Sequence, residues 1–225
     1  MYSGGKSSTK ESRFTLKFML AIKGSRMENK MKEIENRRSI RKFCSQKVER
    51  ELIDNILKAG IDAPSAKNRQ PWKFVVLEDN AKKQFSEIMR QGIQEESSRK
   101  LLPNSSKYLA AANHTAQIID QAPVLLLIYN PQGKSLYEDL SIENKIYERA
   151  DIQSVGAAIQ NIILEATSLG IGSLWICDIY FAYDRLSKYH KEYGELLAAV
   201  ALGYPDEHPA KRPRNAFKDV VFYLK

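Results

Sequence analysis

The sequence predicts an α+β fold in which a sheet is covered by helices. Three observations carry this. Residues 123–129 form a near-continuous apolar run of the kind that suits a central strand buried on both faces. Residues 150–169 place Ile152, Val155, Ile159, Ile162, Ile163, Ala166 and Leu169 at helical spacing, and Gly170 closes the pattern. The other strand and helix signals are mixed without strict alternation, as an α+β chain requires.

Taken in order, residues 28–36 read as the start of a helix. Residues 48–60 read as a second, with Leu52, Ile53, Ile56 and Leu57 on one face and Gly60 as its stop. Pro64 and Pro71 then enforce an extended loop. Phe74-Val75-Val76-Leu77 is a short buried strand. Residues 81–99 and 105–119 form two polar, partly amphipathic helices separated by Pro103, and 131–146 read as an irregular, mobile excursion. Gly156, Ala157 and Ala158 put a small-residue patch on the long helix, where another backbone or a second copy of the helix can approach closely. Residues 173–176 and 197–202 are strands with a helix near 183–191 between them. Val220, Val221, Phe222 and Tyr223 make 219–224 a final strand candidate.

The chain has 225 residues, enough for one sizeable domain, and its 43% hydrophobic content is ordinary for a globular protein. Its net charge of +8 invites a nucleic-acid reading. That reading weakens once the charge is located. Lys6, Lys10, Arg13, Lys17, Lys23 and Arg26 against Glu11 alone give residues 1–26 a charge of +5, which leaves +3 for the rest. Residues 1–26 read as a basic, poorly ordered extension and 27–225 as the folded domain. Cys44 and Cys177 lie far apart and outside any C-x-x-C, against a disulfide scaffold and against zinc, so a reducing, cytoplasmic setting fits best. No apolar run reaches bilayer-spanning length.

Several familiar chemistries are absent. Gly170-Ile171-Gly172 lacks the third glycine of a dinucleotide fingerprint, and Gly133-Lys134-Ser135 lacks the earlier glycine of a Walker A loop because position 128 is Ile. Ser39-Ile40-Arg41-Lys42 matches S-x-x-K without its companion motifs. His114, His190 and His208 do not sit at metal-ligand spacing, and no metal is expected. So few candidate acids, bases and nucleophiles suit an enzyme that borrows its chemistry from a cofactor.

Two segments stand out. Arg37-Arg38-Ser39-Ile40-Arg41-Lys42-Phe43 concentrates cations and a hydroxyl, which suits a phosphate ester. Ala63-Pro64-Ser65-Ala66-Lys67-Asn68-Arg69-Gln70-Pro71-Trp72 combines small, amide and aromatic groups, which suits a flat heterocycle. Taken singly, the first reads as a solvated basic face and the second as a rigid turn. Together they suit a ligand with a phosphate at one end and a hydrogen-bonding ring at the other.

In order and spacing these segments resemble the nitroreductase family of FMN flavoproteins. Asp151-Ile152-Gln153-Ser154-Val155-Gly156-Ala157-Ala158-Ile159-Gln160-Asn161 is similar to that family's central dimer helix. Gly170-Ile171-Gly172-Ser173-Leu174-Trp175-Ile176 is similar to the strand after it, and Gly203-Tyr204-Pro205 with Lys211-Arg212-Pro213-Arg214 to its late phosphate-binding segment. The resemblance covers about residues 30–225.

It implies a three-layer α+β sandwich: a mainly antiparallel sheet flanked by helices, with a C-terminal strand exchanged in an obligate homodimer. It implies FMN at the dimer interface, NADH or NADPH as reductant, and ping-pong hydride transfer through flavin N5 to a nitroaromatic, quinone or activated enone. Residue by residue, it assigns Arg37 and Ser39 to the FMN phosphate and ribityl chain, with Arg38 a neighbouring cofactor contact that often contributes through its backbone. Arg41 falls to the pyrimidine edge of the flavin as an electrostatic stabiliser, and Arg212 and Arg214 to late phosphate contacts. Pro64, Ser65, Ala66 and Asn68 match residues that reach the flavin from the partner chain, and Cys177 and Asp178 fall about where a backbone N–H addresses N5. No side chain is singled out as the proton donor. Rival readings are reductive dehalogenation or flavin breakdown on the same fold, a non-catalytic FMN-binding protein, and a basic nucleic-acid-binding module built on residues 1–26.

Overall fold

The computed structural model describes residues 31–224. The basic extension and the first residues of the helix expected over 28–36 lie outside the described residues. A short helix, α1 (Lys32–Asn36), precedes in sequence the compact unit that begins at Arg37. That unit contains α2 (Arg50–Ile61), β1 (Lys73–Glu78), α3 (Asp79–Arg99), α4 (Leu109–Gln121), β2 (Val124–Asn130), α5 (Ile142–Ser168), β3 (Gly172–Ile176), α6 (Tyr183–Leu186), β4 (Glu195–Gly203) and α7 (Phe217–Val220).

The four strands form one antiparallel sheet in the order β1-β2-β4-β3. β2, at its centre, is buried at every position, as the apolar run from Val124 to Tyr129 requires, and it ends on buried Asn130. Alternate side chains feed two cores. Leu125, Leu127 and Tyr129 pack with Phe85, Met89 and Ile93 of α3 and Ala112, Ala116 and Ile119 of α4. Val124, Leu126 and Ile128 pack with Ile53 and Ile56 of α2 and Val155, Ile159, Ile162 and Ile163 of α5. The result is a three-layer sandwich. A bulge between Ile128 and Tyr129 pairs Tyr129 with Leu196, so Leu196 rather than Leu197 joins the first core.

Three expectations need correction. The long helix starts at Ile142, not near residue 150, and Ser141 caps it by accepting the Asn144 N–H (3.2 Å). Its buried residues begin only at Asp151, and the apolar residues of its first two turns, Ile142, Ile146 and Tyr147, are exposed among charged neighbours. The excursion is accordingly shorter, and it is tied down. The Tyr183 hydroxyl accepts the Leu136 N–H (2.9 Å) and donates to Glu195 Oε1 (2.6 Å), while Lys134 N–H donates to Glu148 Oε1 (2.7 Å). Finally, Asp219 and Val220 of the expected last strand are helical, in α7. Residues 221–224 pair with no strand among the described residues, and Phe222, Tyr223 and Leu224 are exposed.

One buried cation holds the α3/α4 layer together. Lys82 Nζ donates to the carbonyls of Ile119 (3.0 Å), Asp120 (2.7 Å) and Ala122, satisfying the C-terminal end of α4. Burial pushes its ammonium pKa down. Replacing Lys82 with Met keeps the apolar stem but strands those carbonyls. A loss of about 1–3 kcal/mol in denaturant unfolding is expected, and unchanged stability would refute the capping role.

Candidate functional site

The segment from Arg37 to Cys44 runs as a strap along the β3 edge of the sheet. Ile40 and Phe43 are its buried anchors. Ser39 forms a parallel bridge with Ser173, and Ile40 N–H donates to the Ser173 carbonyl (3.0 Å). On its other side the strap meets the chain leaving β4: Cys44 N–H donates to the Tyr204 carbonyl and Asp206 N–H to the Lys42 carbonyl, each at 2.9 Å. Arg41 N–H donates to Glu207 Oε1 (2.5 Å), and its guanidinium to the Ser39 carbonyl (3.1 Å).

This arrangement gathers cations distant in sequence. Arg37 is partly buried, and its pKa is lowered first by that burial, then by the Arg214 and Arg38 guanidinium groups. Arg214 is oriented by donating to the carbonyls of Arg212 and Pro213 (3.1 Å each). Arg212 itself is exposed. The fold therefore concentrates positive charge where repulsion and desolvation both oppose it. A doubly charged phosphate relieves both, so this donor set fits the phosphate end of FMN.

The second segment lies against α5. Residues Ala66–Asn68 form a 3₁₀ turn in which Lys67 and Asn68 have φ of 51° and 54°, and Gln70 follows at 48°. Left-handed backbone at non-glycine residues costs on the order of 1–3 kcal/mol each and persists only where surrounding contacts impose it. Here the contacts are specific. Ala66 N–H donates to Ser154 Oγ (3.1 Å), and Ser154 in turn donates to the Ala150 carbonyl (2.7 Å). Gln70 N–H donates to Ser65 Oγ (3.0 Å), and Gln70 Nε2 to Asn68 Oδ1 (3.1 Å). Arg69 forks onto buried Asp151 through Nε and Nη2, both at 3.0 Å. Its Nη2 also reaches Gln132 Oε1 (2.6 Å), and the guanidinium lies 4.9 Å from the centre of the Tyr147 ring. Pro64 and Asn68 are exposed, and Ser65 is half-buried.

Cys177 is exposed just past the end of β3. The neighbouring Asp178 carboxylate accepts the Thr115 hydroxyl of α4, so its side chain is engaged in holding that corner. Among the expected residues, Arg37, Arg38, Ser39 and Arg41 share the strap and Arg214 joins them. Pro64, Ser65, Ala66 and Asn68 share the turn on α5. Sequence reasoning missed Arg69, Asp151, Ser154 and Gln132, which hold that turn. The available signal was Asp151 itself, an acid one turn before Val155 on the helical face that is buried. Among the described residues, no group of side chains has the composition of a metal site, and no helix is long and apolar enough to cross a membrane.

Comparison with known proteins agrees with this architecture. A provisionally named NADH dehydrogenase/NAD(P)H nitroreductase of Archaeoglobus fulgidus is 30% identical over 187 residues, covering 80% of this chain and 88% of that protein. A crystal structure from Desulfovibrio desulfuricans, provisionally named a nitroreductase and solved in complex with FMN, superposes with a TM-score of 0.63 at 25% identity. It covers 88% of this chain and 99% of the other. Rat iodotyrosine deiodinase 1 is 36% identical over 103 residues, which is 43% of this chain and 35% of the deiodinase. The nitroreductase family model matches residues 34–204, spanning both the arginine strap and the turn on α5. With the fold, the two segments and the family model in agreement, the chain belongs to the nitroreductase family.

Proposed function

We propose that this protein is an FMN-dependent oxidoreductase that draws reducing equivalents from NADH or NADPH and passes them to a small organic acceptor. Nitroaromatics, quinones and activated enones are the acceptor classes. The observation that carries the reading is that Arg37, its pKa already lowered by partial burial, also feels the charges of Arg214 and Arg38, two cations far apart in sequence, strongly enough to lower it further, together with FMN in the Desulfovibrio relative. FMN, when bound, supplies the two-electron chemistry. The chain binds and orients it. Arg37, Arg38, Ser39, Arg212 and Arg214 hold the phosphate and ribityl chain. Arg41 stabilises negative charge at the pyrimidine edge. Pro64, Ser65, Ala66 and Asn68 would reach the flavin of a partner subunit, and the backbone at Cys177 and Asp178 would address N5.

The same reading makes the protein a homodimer. Ile152 and Trp175 are exposed apolar groups, and Gly156 beside them offers no side chain to keep a second helix away. The exposed Phe222, Tyr223 and Leu224 supply a tail that crosses to the partner. A reducing, cytoplasmic location suits the free thiols of Cys44 and Cys177, with residues 1–26 as a basic extension to the domain.

The test is direct. Purified protein should carry the visible absorbance of oxidised flavin, bleach anaerobically on NADH or NADPH, and recover colour when an acceptor is added after the nicotinamide is removed. Steady-state double-reciprocal plots should be parallel. Colourless protein that takes up no FMN would overturn the reading, and intersecting plots would overturn the ping-pong route. The deiodinase match favours one alternative, reductive dehalogenation of a haloaromatic. Halide release in step with NAD(P)H consumption would select it.

A further inference from the structure

We propose that Arg69 and Asp151 form a positioning clamp that fixes the left-handed turn Ser65–Gln70 in the shape that meets the flavin. The proposal rests on the FMN reading above and goes beyond it, because neither residue is assigned to the cofactor. Asp151 is 2% exposed and is the one charged residue on the buried face of α5, where Ser154 is the only other polar group. A carboxylate there is tolerated only with a partner of matched geometry. Arg69 supplies it with two parallel bonds of 3.0 Å, from the residue that immediately follows the two left-handed positions Lys67 and Asn68.

The guanidinium is itself fixed from three directions, by Asp151, by Gln132 Oε1 and by the Tyr147 ring. One turn along α5 from Asp151, Ser154 takes the Ala66 N–H. The turn is therefore pinned at both ends to one rigid helix, with Asn68 between the pins. Such double attachment is what unfavourable φ values at three non-glycine residues need in order to persist. A planar fork is also better suited to the task than a lysine, whose single ammonium leaves the turn free to rotate about one contact.

The clamp is tested with the full chain in two variants, Arg69→Lys and the double variant Arg69→Leu with Asp151→Leu. The double variant removes the buried charge together with its partner, so the fold is retained while the fork is lost. Hydrogen exchange is measured on flavin-free protein, FMN affinity by fluorescence titration, and stability by thermal melting. In the double variant we expect exchange at 65–70 to accelerate by about tenfold or more. FMN affinity should fall about tenfold, as for one misplaced hydrogen bond, with little change in melting temperature. Arg69→Lys should fall between the two proteins in both readouts. Unchanged exchange at 65–70 overturns the clamp. Faster exchange with unchanged FMN affinity overturns its link to the cofactor and leaves the FMN reading standing. A parent protein that binds no FMN overturns both.

Discussion

Replacing Arg37 or Arg214 with alanine is expected to weaken FMN binding roughly 10- to 150-fold, because each charge-assisted hydrogen bond contributes about 1.5–3 kcal/mol. The two residues are coupled before any ligand arrives. Burial and the facing Arg214 already lower the Arg37 pKa, so each guanidinium is held near the other against its own electrostatic preference. Removing one relieves the other in the flavin-free protein. The variants should thus keep or slightly raise their flavin-free melting temperature while losing affinity, a combination that general misfolding does not produce. Because Arg37 is partly buried, its contribution should also survive added salt better than that of exposed Arg212. Fluorescence titration of FMN at two ionic strengths, with thermal melts alongside, measures all three effects. Unchanged affinity in both variants refutes the phosphate assignment.

The strap stands out because its cations are adjacent in sequence, but alone it reads as a solvated basic face and takes on meaning only beside the second segment. The layers were legible more directly. β2, buried on both faces, is a continuous apolar run, and the apolar positions of α2 and the second half of α5 repeat with the helical period that burial on one face enforces. Where burial does not act, the pattern vanishes. The first turns of α5 are exposed and were read as loop, although Ser141 and Glu143 mark a helix start. Contacts made across long stretches of chain were equally silent. Arg69 and Asp151 are separated by 82 positions, and nothing local in either segment names the other. The positive φ values at Lys67, Asn68 and Gln70 were hidden too, because the usual marker for such backbone is glycine, and none is present in the turn.

A glycine does mark the equivalent strain elsewhere, and its replacement should have the largest effect on stability. Gly194 has φ 112° and ψ −151°, a conformation essentially restricted to glycine. It lies where β4 begins, against the end of β2. A Cβ there would stand 2.2 Å from the Asn130 carbonyl oxygen and 2.6 Å from Pro131 Cα. These are backbone atoms, so no rotamer change relieves the overlap, and the Asn130 carbonyl is already committed to the Gly133 N–H (3.0 Å). Gly194→Ala therefore adds dihedral strain to overpacking, about 1–3 kcal/mol from each, and should lower the melting temperature by roughly 5–20 °C. Gly170→Ala is the control. That glycine also has positive φ (73°), but nothing lies within 4 Å of the added carbon, so only the dihedral cost of about 1–2 kcal/mol applies. If the two variants melt together, the backbone overlap at Gly194 is not what makes glycine necessary there. If Gly194→Ala alone collapses, the damage should extend to the α5 turn. The Asn130–Pro131 corner carries Gln132, whose Oε1 takes one of the Arg69 hydrogen bonds, so faster exchange at 65–70 should accompany the lost stability.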